Sequence, residues 1–417
     1  MRKPSLFIVW LTVFIDLIGF GIVVPLVPVF AKRFDATSYT IGLVLASFSL
    51  MQFIFAPIWG RLSDRVGRRP ILLLSTAGAA VSYVVFALGS GLENPTSALL
   101  ALGLARGFAG AFGGNITVAQ AYIADITPAE SRSKRMGLIG MAFGLGFILG
   151  PAIGGVSLKY LGITGPGWMA AGVCALNFLL ALCILPESRQ PSSEHVPPRP
   201  HLSQWKHTLT QPGIGLLIIV FFFSTLCFSC FEVTLALLVC DNFRLDIRDN
   251  ATTATVATYL FVYCGLISAF VQGGMIGRIV KKLGEPKVIA MSLIMTAISL
   301  ALLPFIKGTG VLSWQILGQS QGLGWWFLLG VLALLAVGSS LTRPPLFGLL
   351  SNLTSAHEQG GNIGVAQGAG SLARIVGQFS APIILLDVSP RLLFVGSAAI
   401  LLLTSVVVIQ KLSRYQR

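Results

Sequence analysis

Long apolar stretches are the feature of this sequence that most limits how the chain can fold. A helix needs roughly 20 mostly apolar residues to cross the hydrocarbon core of a membrane. Stretches of this kind recur twelve times along the 417 residues, and they begin at Ser5, Thr40, Ile71, Thr96, Met136, Trp168, Gly213, Thr255, Lys287, Trp325, Gly361 and Arg391. Small and polar residues lower the hydrophobicity of the stretches that begin at Thr40 and Gly361. Because the runs are continuous rather than alternating, the pattern excludes a transmembrane β-barrel.

The low share of charged residues supports lipid as the surroundings of the chain. Hydrophobic residues make up 54% of the sequence and charged residues 11%, whereas soluble domains carry about 25% charged residues. The first stretch follows Arg2 and Lys3, as in a signal peptide, but it contains Asp16 and has no small-residue cleavage site. We therefore expect an all-α protein in the lipid bilayer, with twelve transmembrane helices and a retained first helix.

The net charge of +14 would suggest a nucleic-acid partner in a soluble protein, but its distribution gives another explanation. With the N-terminus in the cytoplasm, twelve spans leave most basic residues on the inner side, namely Arg2, Lys3, Arg61, Arg65, Arg68, Arg69, Arg132, Lys134, Arg135, Arg189, Arg199, Lys206, Arg278, Lys281, Lys282, Lys287, Arg343, Lys411, Arg414 and Arg417. The outer side holds only Lys32, Arg33, Lys159, Arg244, Arg248, Lys307 and Arg391. This asymmetry follows the positive-inside rule and predicts cytoplasmic termini and no nucleic-acid binding.

A polar linker divides the chain near its middle. Residues 186–203 are rich in proline, serine and charge, a composition typical of linkers. The halves also resemble each other, since residues 60–71 and 277–288 repeat a glycine, an arginine, a basic residue and a glycine in register. Repeated halves are typical of secondary transporters, which bind substrate near the bilayer midplane. The predicted parts are an N-terminal six-helix bundle (1–186), a cytoplasmic linker (187–212) and a C-terminal six-helix bundle (213–417).

The loop after the second stretch carries the most specific pattern in the chain. It runs Gly60-Arg-Leu-Ser-Asp64-Arg65-Val-Gly67-Arg68-Arg69. The positive-inside rule accounts for its arginines but not for Asp64 or for glycines at fixed offsets. We expect Asp64 to accept hydrogen bonds at the N-terminal end of a neighbouring helix, where the helix dipole favours negative charge. The arginines are expected to bridge to acidic groups across the halves, so that the loop acts as a conformational latch.

This loop resembles the signature of the major facilitator superfamily, GxxxD(R/K)xGR(R/K), and all the defining positions are filled. The resemblance covers essentially the whole chain and implies two pseudo-symmetric six-helix bundles that rock about a central site. Within the superfamily, the chain is most similar to the drug:proton antiporter branch, particularly tetracycline-resistance-type exporters. Asp125 and Arg132 are similar to a loop of the same branch, which implies that they are latch partners.

The fifth stretch contains a glycine-rich pattern, Gly146-Phe-Ile-Leu-Gly150-Pro151-Ala-Ile-Gly154-Gly155. Glycines four apart lie on one helix face, where they permit a close helix crossing. Pro151 removes a backbone hydrogen bond and is expected to bend the helix. The pattern resembles the GxxxGPxxGG element of the exporter branches. The packing and functional interpretations are compatible, because a bent and tightly packed helix would suppress leak.

Two charged residues lie inside the stretches of the first half. Asp16 is about eleven residues from the inner edge, which at roughly 1.5 Å per residue places it near the membrane centre. Burial favours a neutral carboxyl group and a nearby arginine favours the carboxylate, so Asp16 is a candidate proton carrier. Its surroundings resemble the first-span motif of drug:proton antiporters; the alternative is a packing role. Arg106 resembles the central arginine of the family's fourth-span motif, and it either tunes a proton-binding carboxylate or serves as a counter-charge for Asp16.

The second half contributes Glu232 and Arg374. Glu232 resembles a glutamate of tetracycline-exporter-like members and is the leading candidate for the proton carrier; the alternative is a water-exposed position at the rim. Arg374 either pairs with Glu232 or Asp16 or binds an anionic group of the substrate. The residues predicted to line the substrate cavity, or alternatively to form hydrogen bonds between helices, are Gln52, Asn115, Gln120 and Gln272.

The sequence contains no pattern for a cofactor or a metal. Cys227 and Cys230 form a CxxC, but without flanking histidines packing within a helix is the simpler interpretation. The four histidines fall in predicted cytoplasmic loops, and no Walker loop, HExxH or nucleophile elbow is present. We therefore predict no metal, no cofactor and no enzymatic activity, and we expect an ion gradient as the energy source.

These patterns together predict a secondary transporter that functions as a monomer in a bacterial inner membrane. It would export small amphipathic, drug-like molecules in exchange for protons, with Asp16 or Glu232 as the carrier. Because an internal arginine such as Arg374 suits organic anions, a proton-coupled importer or facilitator of organic anions is the alternative. A non-transporting receptor and a membrane enzyme are further alternatives, which the buried charges and the missing catalytic patterns disfavour. The pattern gives no role to the segment between Lys307 and Gly324.

Overall fold

The protein is almost entirely helical. The structure, a computed structural model, describes residues 4–23, 27, 30, 34, 37–188, 201–245, 250–310, 312, 322–355 and 358–412. Within these ranges lie twelve long helical units: α1 (Leu6–Val23), α2 (Ser38–Val66), α3 (Arg68–Ser90), α4 (Pro95–Asp125), α5 (Arg132–Leu161), α6 (Gly165–Ile184), α7 (Ile214–Phe243), α8 (Asn250–Phe270, continued by Val271–Met275 and Ile276–Leu283), α9 (Glu285–Leu302), α10 (Leu323–Leu353), α11 (Gln359–Ile383) and α12 (Pro390–Leu412). They begin within a few residues of the predicted positions, and the predicted all-α membrane fold is confirmed.

Hydropathy alone identifies all of these helices except α11. Among the described residues, eleven helices are long and apolar enough to cross a membrane. α11 has 25 residues, but glycine and polar residues dilute it. It packs against α2 and α7, and its side chains Asn362, Gln367 and Ser371 are buried. The part of a helix that packs against other helices needs little apolar surface, which explains why the first half of this span is so polar.

The outer surface of the bundle is apolar, as a membrane requires. Leu403 and Phe270 are each 69% exposed, and Leu100 is 64% exposed. Apolar surface on this scale would promote association in water, whereas in a bilayer it faces hydrocarbon chains. The prediction that the chain is an integral, multi-pass membrane protein is therefore confirmed.

The helix contacts group the described chain into two bundles that meet along a seam. In the first half, α1 packs on α5 and α6, α2 on α4, and α3 on α4 and α6. In the second half, α9 packs on α10 and α12, α7 on α11 and α12, and α8 on α10. The halves meet where α2 packs on α11, where α5 packs on α8 and α10, and where α4 packs on α11. These helix pairs therefore frame the contact between the bundles.

Two helices are irregular close to this seam. α4 consists of Pro95–Ala111 and Asn115–Asp125, which a turn separates. α8 contains a π-helical segment, Val271–Met275. An interruption leaves backbone N–H and C=O groups without their helical hydrogen bonds, so it occurs in a membrane helix where neighbouring groups can bind them. Such interruptions are frequent at functional sites. Asn115 and Gln272, two predicted cavity residues, lie at these interruptions.

The linker contributes a short helix, His201–Thr210. Trp205 packs against Phe53 of α2 at 5.4 Å between ring centroids, and Thr208 donates a hydrogen bond to Asn362 of α11 at 2.8 Å. The helix therefore contacts both halves beside the seam. The boundaries of the two bundles and the linker stay predictions, and residues 189–200 lie outside the described residues.

Most of the segment between Lys307 and Gly324, for which no role was predicted, also lies outside the described residues. Its ends are packed together, since a Cβ atom on Gly324 would lie 2.5 Å from the carbonyl oxygen of Lys307. Trp325 stacks on Phe243 of α7 with ring centroids 3.9 Å apart. The start of α10 is therefore fixed against the end of α7.

Candidate gate and transport site

The seam between the halves is closed at one end of the bundle. We call this the basic end: α2 and α10 end there, α5 and α11 begin there, and it carries Arg61, Arg65, Arg69, Arg132, Lys134 and Arg135. It is the end that the charge distribution assigns to the cytoplasm. The predicted latch residues lie at this end, and Gly60, Asp64 and Arg132 are the ones that touch the second half.

Asp64, close to the end of α2, contacts the first turn of α11 in the other half. Its Oδ1 accepts a hydrogen bond from the backbone N–H of Gly360 at 3.1 Å, and its Oδ2 accepts one from Gly361 at 2.9 Å. N–H groups of a first helical turn lack partners within the helix, and the helix dipole gives that turn a positive potential. A carboxylate there stabilises the contact by about 0.3–1 kcal/mol, and by up to about 2 kcal/mol when partly buried. The structure thus puts Asp64 at a helix N-terminus of the opposite bundle.

Glycines allow α2 and α11 to approach closely enough for this contact. Gly60 lies so near Gly360 that a Cβ atom on either residue would meet the carbonyl oxygen of the other. One turn further along α11, a Cβ atom on Gly364 would lie 2.7 Å from the Cα of Pro57. Close backbone approach of this kind requires small residues at the crossing.

Arg68 orients Asp64 from within the first half. The side chain is fully buried, with its Nη1 2.7 Å from Asp64 Oδ1 and its Nε 2.9 Å from Asp125 Oδ2. A further hydrogen bond runs from Nη1 to Ser63 Oγ at 2.7 Å. Such pairing offsets the free-energy cost of burying the guanidinium. Because both acidic partners belong to the first half, Arg68 holds the loop together rather than bridging the bundles as expected.

Glu187, which the sequence analysis left in the linker, closes the same loop. Its carboxylate accepts hydrogen bonds from the backbone N–H groups of Arg68 and Arg69 at 2.9 and 3.0 Å. These groups open α3, so the carboxylate caps that helix. Gly67 has a φ of 104° and lies directly against this carboxylate. Arg69 donates to the carbonyl of Leu182 at 2.8 Å, whereas Arg65 is exposed at the surface.

Arg132 provides a second contact between the halves. From the start of α5, its Nη1 donates to the carbonyl of Ser351 at 3.0 Å and to Oδ1 of Asn352 at 3.1 Å. These acceptors lie at the end of α10, where the helix dipole favours positive charge. An acidic side chain at a helix N-terminus and a basic one at a helix C-terminus therefore hold the basic end closed. Asp125, the other predicted partner, binds Arg68 instead.

The glycine pattern of α5 forms the contact with α1. Cβ atoms on Gly146 and Gly154 would lie 2.9 Å from the carbonyl oxygens of Leu17 and Ile22 respectively. Between them, Gly150 lies against the backbone of Gly21. A Cβ atom on Gly155 would have no described atom within 4 Å. The helix continues through Pro151 as far as Leu161, so this pattern packs two helices of one bundle.

Asp16 is paired with an amide and not with an arginine. Asn115 Nδ2 donates a short hydrogen bond to its Oδ2, and the thiol of Cys174 lies 3.7 Å from its Oδ1. Asn115 opens the second segment of α4 and is buried. A carboxyl group with two neutral neighbours can be accommodated in either protonation state. Asp16 therefore sits inside the first bundle, beside the break in α4.

Arg106 lies between two aromatic rings. Its Cζ is 4.5 Å from the ring centroid of Phe48 and 5.6 Å from that of Phe20. Only 4% of the residue is exposed, and its Nε and Nη1 have no hydrogen-bond partner among the described residues. Cation–π contacts stabilise a desolvated guanidinium by about 2 kcal/mol. The direct pairing with Asp16 that the sequence left open is not formed.

Glu232, Arg374 and Gln52 connect the halves at mid-depth. Glu232 of α7 and Arg374 of α11 lie close enough to interact electrostatically. Arg374 Nη2 donates a short hydrogen bond to Oε1 of Gln52 in α2, and Ser371 Oγ donates to the same oxygen at 2.9 Å. Arg374 is about 15 residues, or roughly 22 Å, from the start of α11, which is deep within the membrane. One guanidinium thus binds an amide of the other bundle and lies within electrostatic range of a carboxylate of its own bundle.

The prediction that Arg343 lies with the basic residues of the inner side is wrong. It lies inside α10, about ten residues before Leu353, or roughly 15 Å from the helix end. The helix extends beyond the predicted span because it continues through Pro344 and Pro345. Arg343 Nη2 donates to Gln367 Oε1 at 3.0 Å, and Gln367 Nε2 donates to Gln120 Oε1 at 2.8 Å.

A small cavity adjoins this chain of hydrogen bonds. It measures about 10 Å³, room for about one water molecule. The lining residues come from both halves and are Gln120, Met136, Ile139, Gly140, Gln272, Arg343, Pro344 and Phe347. The buried Oε1 of Gln272 has no hydrogen-bond partner among the described residues. Gln52, Gln120 and Gln272 thus lie along the seam, whereas Asn115 lies with Asp16.

The described residues offer no arrangement suited to a metal or cofactor. Nowhere in this part of the chain do three or more His, Cys, Asp or Glu side chains come together. The CxxC thiols point to separate carbonyls, Cys227 to Ser397 at 3.4 Å and Cys230 to Gly377 at 3.9 Å.

Comparison with known proteins agrees with this geometry. The family profile described as Major Facilitator Superfamily matches residues 9–323 and also 275–415. Tetracycline resistance protein, class E, of Escherichia coli is 33% identical over 372 residues, which cover 88% of this chain and 84% of that protein. Multidrug resistance protein 2 of Bacillus subtilis (strain 168) is 27% identical over 382 residues, with coverage of 90% and 88%.

A solved structure extends the agreement to the fold. The human organic anion transporter MFSD10 (TETRAN) superposes with a TM-score of 0.75 and 24% sequence identity, over 98% of this chain and 100% of that one. The predicted resemblance to tetracycline-resistance-type exporters is confirmed, as is the membrane setting. This chain, a multi-pass membrane transporter, belongs to the major facilitator superfamily.

Proposed function

We propose that the protein exports amphipathic small molecules in exchange for protons by alternating access. The observation that carries this proposal is that Arg374 donates a hydrogen bond to Gln52 of the other bundle while it lies within electrostatic range of Glu232 in its own bundle. Arg374 therefore interacts both with a carboxyl group that can bind a proton and with a side chain of the other bundle. Protonation can therefore alter the contact between the halves.

The proton acts by changing the partner of Arg374. Ionised Glu232 attracts the guanidinium, and a proton that binds the carboxylate removes this attraction. Arg374 is then held by Gln52 and Ser371 alone, so the cross-bundle contact differs between the two protonation states. Asp16 is the second candidate, because its contacts with Asn115 and Cys174 tolerate either state.

The closed basic end fits the step at which the transporter faces outward. With Asp64 on α11 and Arg132 on α10, the seam is shut on the predicted cytoplasmic side. In the export cycle, substrate leaves and a proton enters from outside in this form. Opening the basic end then releases the proton inward and admits the next substrate molecule.

Export of drug-like molecules is supported by the relatives. The proteins of Escherichia coli and Bacillus subtilis are named for resistance to tetracycline and to multiple drugs. Resistance of this kind is achieved when a compound is removed from the cytoplasm. A location in the bacterial inner membrane with both termini in the cytoplasm, and function as a monomer, belong to the same proposal.

A transporter for organic anions is the second candidate. Arg374 and Arg343 place two positive charges at the seam, and the structurally similar human protein is described as an organic anion transporter. A proton-coupled importer or facilitator would accumulate such anions inside cells, whereas an exporter would deplete them. The direction of net flux therefore separates the two candidates.

Proteoliposomes that contain a pH-sensitive dye test the proposal. The full-length protein is reconstituted, a proton gradient is imposed, and lipophilic cations or organic anions are added as separate panels. We expect one class to trigger proton movement, and we expect Glu232→Gln or Asp16→Asn to abolish that movement while substrate still binds. Lys411→Gln, at the exposed end of α12, is the matched surface control. Substrate flux without any proton movement would exclude antiport.

A further inference from the structure

Arg343 is a permanent positive charge within the membrane that lacks an acidic partner. Among the described residues it forms no ion pair, and its Nε has no hydrogen-bond partner. The amide oxygen of Gln367, at 3.0 Å, is its hydrogen-bonding contact. A central arginine in a membrane helix costs about 2.5–3.5 kcal/mol even on the lowest scales, so such residues mark sites of function.

The electrostatic surroundings of Arg343 increase its affinity for an anion. Arg374 lies close enough to add its positive potential at Arg343, while Glu232 acts electrostatically on Arg374. This part of the seam therefore holds two arginines for one carboxylate. An anion that enters the site would supply the missing charge.

Three aromatic rings surround the same guanidinium. Its Cζ lies 5.4 Å from the ring centroid of Phe143, 5.5 Å from Phe221 and 5.7 Å from Phe347. Phe143 belongs to the first half and the other two to the second, so the rings enclose Arg343 from both bundles. Such a site combines a planar cation, which binds carboxylates with two parallel hydrogen bonds, with faces on which an aromatic ligand can stack.

The hydrogen-bond acceptor of Arg343 also bridges the two halves. Gln367 receives a hydrogen bond from Arg343 and donates one to Gln120 of α4 at 2.8 Å. An anion that takes over the guanidinium frees the amide of Gln367 to rotate, and the bridge to Gln120 loses its fixed geometry. The adjoining cavity, lined by groups of both halves, is where the ligand would enter as the bundles separate.

We propose that Arg343 binds the anionic group of the transported molecule and that this contact releases the Gln367–Gln120 bridge. The substrate class is an amphipathic molecule that carries a carboxylate, or another planar delocalised anion, next to an aromatic body. The inference rests on the proposed transport function and narrows its substrate. In this proposal, Arg343 determines that the transporter prefers negatively charged ligands.

Three matched probes test this selection at equilibrium. The full-length protein in lipid nanodiscs is titrated, without a pH gradient, with 1-pyrenebutyrate, with its neutral amide and with the corresponding trimethylammonium compound. We expect the anion to bind about tenfold more tightly than the amide, as a charge-assisted contact provides. In Arg343→Gln this preference disappears, and affinity for the amide changes by less than about twofold. Arg391→Gln, an exposed arginine of α12, should keep the preference.

A second variant tests the inference even if Arg343→Gln fails to fold. Gln367→Glu places a carboxylate beside the guanidinium, 3.0 Å from its Nη2 in the present geometry. It should remove the anion preference while Arg343 is retained. Gln410→Glu makes the same change at the exposed end of α12 and should have no effect. The inference is overturned if the unaltered protein shows no preference for the anion, or if Gln367→Glu or a folded Arg343→Gln keeps it.

Hydrogen exchange tests the release of the bridge. The anion should increase amide exchange around Gln367 in α11 and around Gln120 in α4 of the unaltered protein, and the neutral amide should not. Anion binding that leaves exchange unchanged would overturn the release step. Because the binding assay uses no proton gradient, its failure leaves proton-coupled export intact. Conversely, if Arg343 selects anions but no proton moves in the liposome assay, antiport is excluded and the role of Arg343 in ligand selection is kept.

Discussion

Two features of the structure disfavour any residue larger than glycine at Gly67. Its φ of 104° lies in the region that favours glycine, and the carboxylate of Glu187 occupies the space where a Cβ atom would stand. We expect Gly67→Ala to lower the free energy of unfolding by about 1–3 kcal/mol, through backbone strain and displacement of Glu187 from the start of α3. Thermal unfolding of the purified protein, followed by tryptophan fluorescence, measures the loss.

Gly162 provides a control for the strain alone. It also has a positive φ, 72°, but a Cβ atom there would meet nothing within 4 Å. Gly162→Ala should therefore cost less stability than Gly67→Ala. Equal losses would mean that the contact with Glu187 contributes nothing to the latch.

Individual residues also determine how far the sequence could predict the site. The position of Asp64 followed from the loop pattern, because a helix N-terminus is a common partner for a carboxylate. Arg343 could not be placed in this way, since hydropathy ends a span at a charge followed by two prolines and does not foresee a helix that continues. The contacts of Gln367 and Glu187 depend on residues far away in the chain, so only the folded structure identifies them.

At the scale of helices, the glycine face of α5 predicts where a larger side chain can be tolerated. A Cβ atom on Gly150 would lie against the backbone of Gly21 in α1, whereas one on Gly155 would have open space. Gly150→Ala should separate α1 from α5 and lower stability by about 1–3 kcal/mol. Gly155→Ala should be neutral or slightly stabilising, because alanine favours helix more than glycine does.

Thermal unfolding and passive proton leak in dye-loaded liposomes measure both effects. If tight α1–α5 packing suppresses leak, Gly150→Ala should increase the leak and Gly155→Ala should not. Identical behaviour of the two variants would show that the motif has no role specific to this contact.

The helices themselves were predictable because membrane insertion is a local property of about 20 residues. α11 differs from the other helices because the first half of it packs against other helices and carries buried polar side chains there. Its polarity follows from its place at the seam, where Asp64, Gln52 and Gln120 all reach its residues. A span that is difficult to identify by hydropathy was therefore the one that carries most contacts between the bundles.

At the scale of the whole molecule, the closed basic end depends on two separate contacts. Asp64 holds the start of α11, and Arg132 holds the end of α10. If the bundles rock as rigid bodies, weakening one contact must release the other as well. If the gate opens by local motions, each contact responds only to changes in its own residues.

Asp64→Asn distinguishes these possibilities. Asparagine keeps an oxygen that can accept from Gly360 or Gly361, but it removes the charge that interacts with the dipole of α11 and with Arg68. The loss of about 0.3–2 kcal/mol should increase the open population about two- to thirtyfold. For rigid-body rocking, hydrogen exchange should rise at residues 359–364 and also at the remote contact of Arg132 with residues 348–353. Glu93→Gln removes one exposed negative charge between α3 and α4 and should change neither. An increase confined to the start of α11 would argue for a local gate, because the contact of Arg132 would then survive the loss of Asp64.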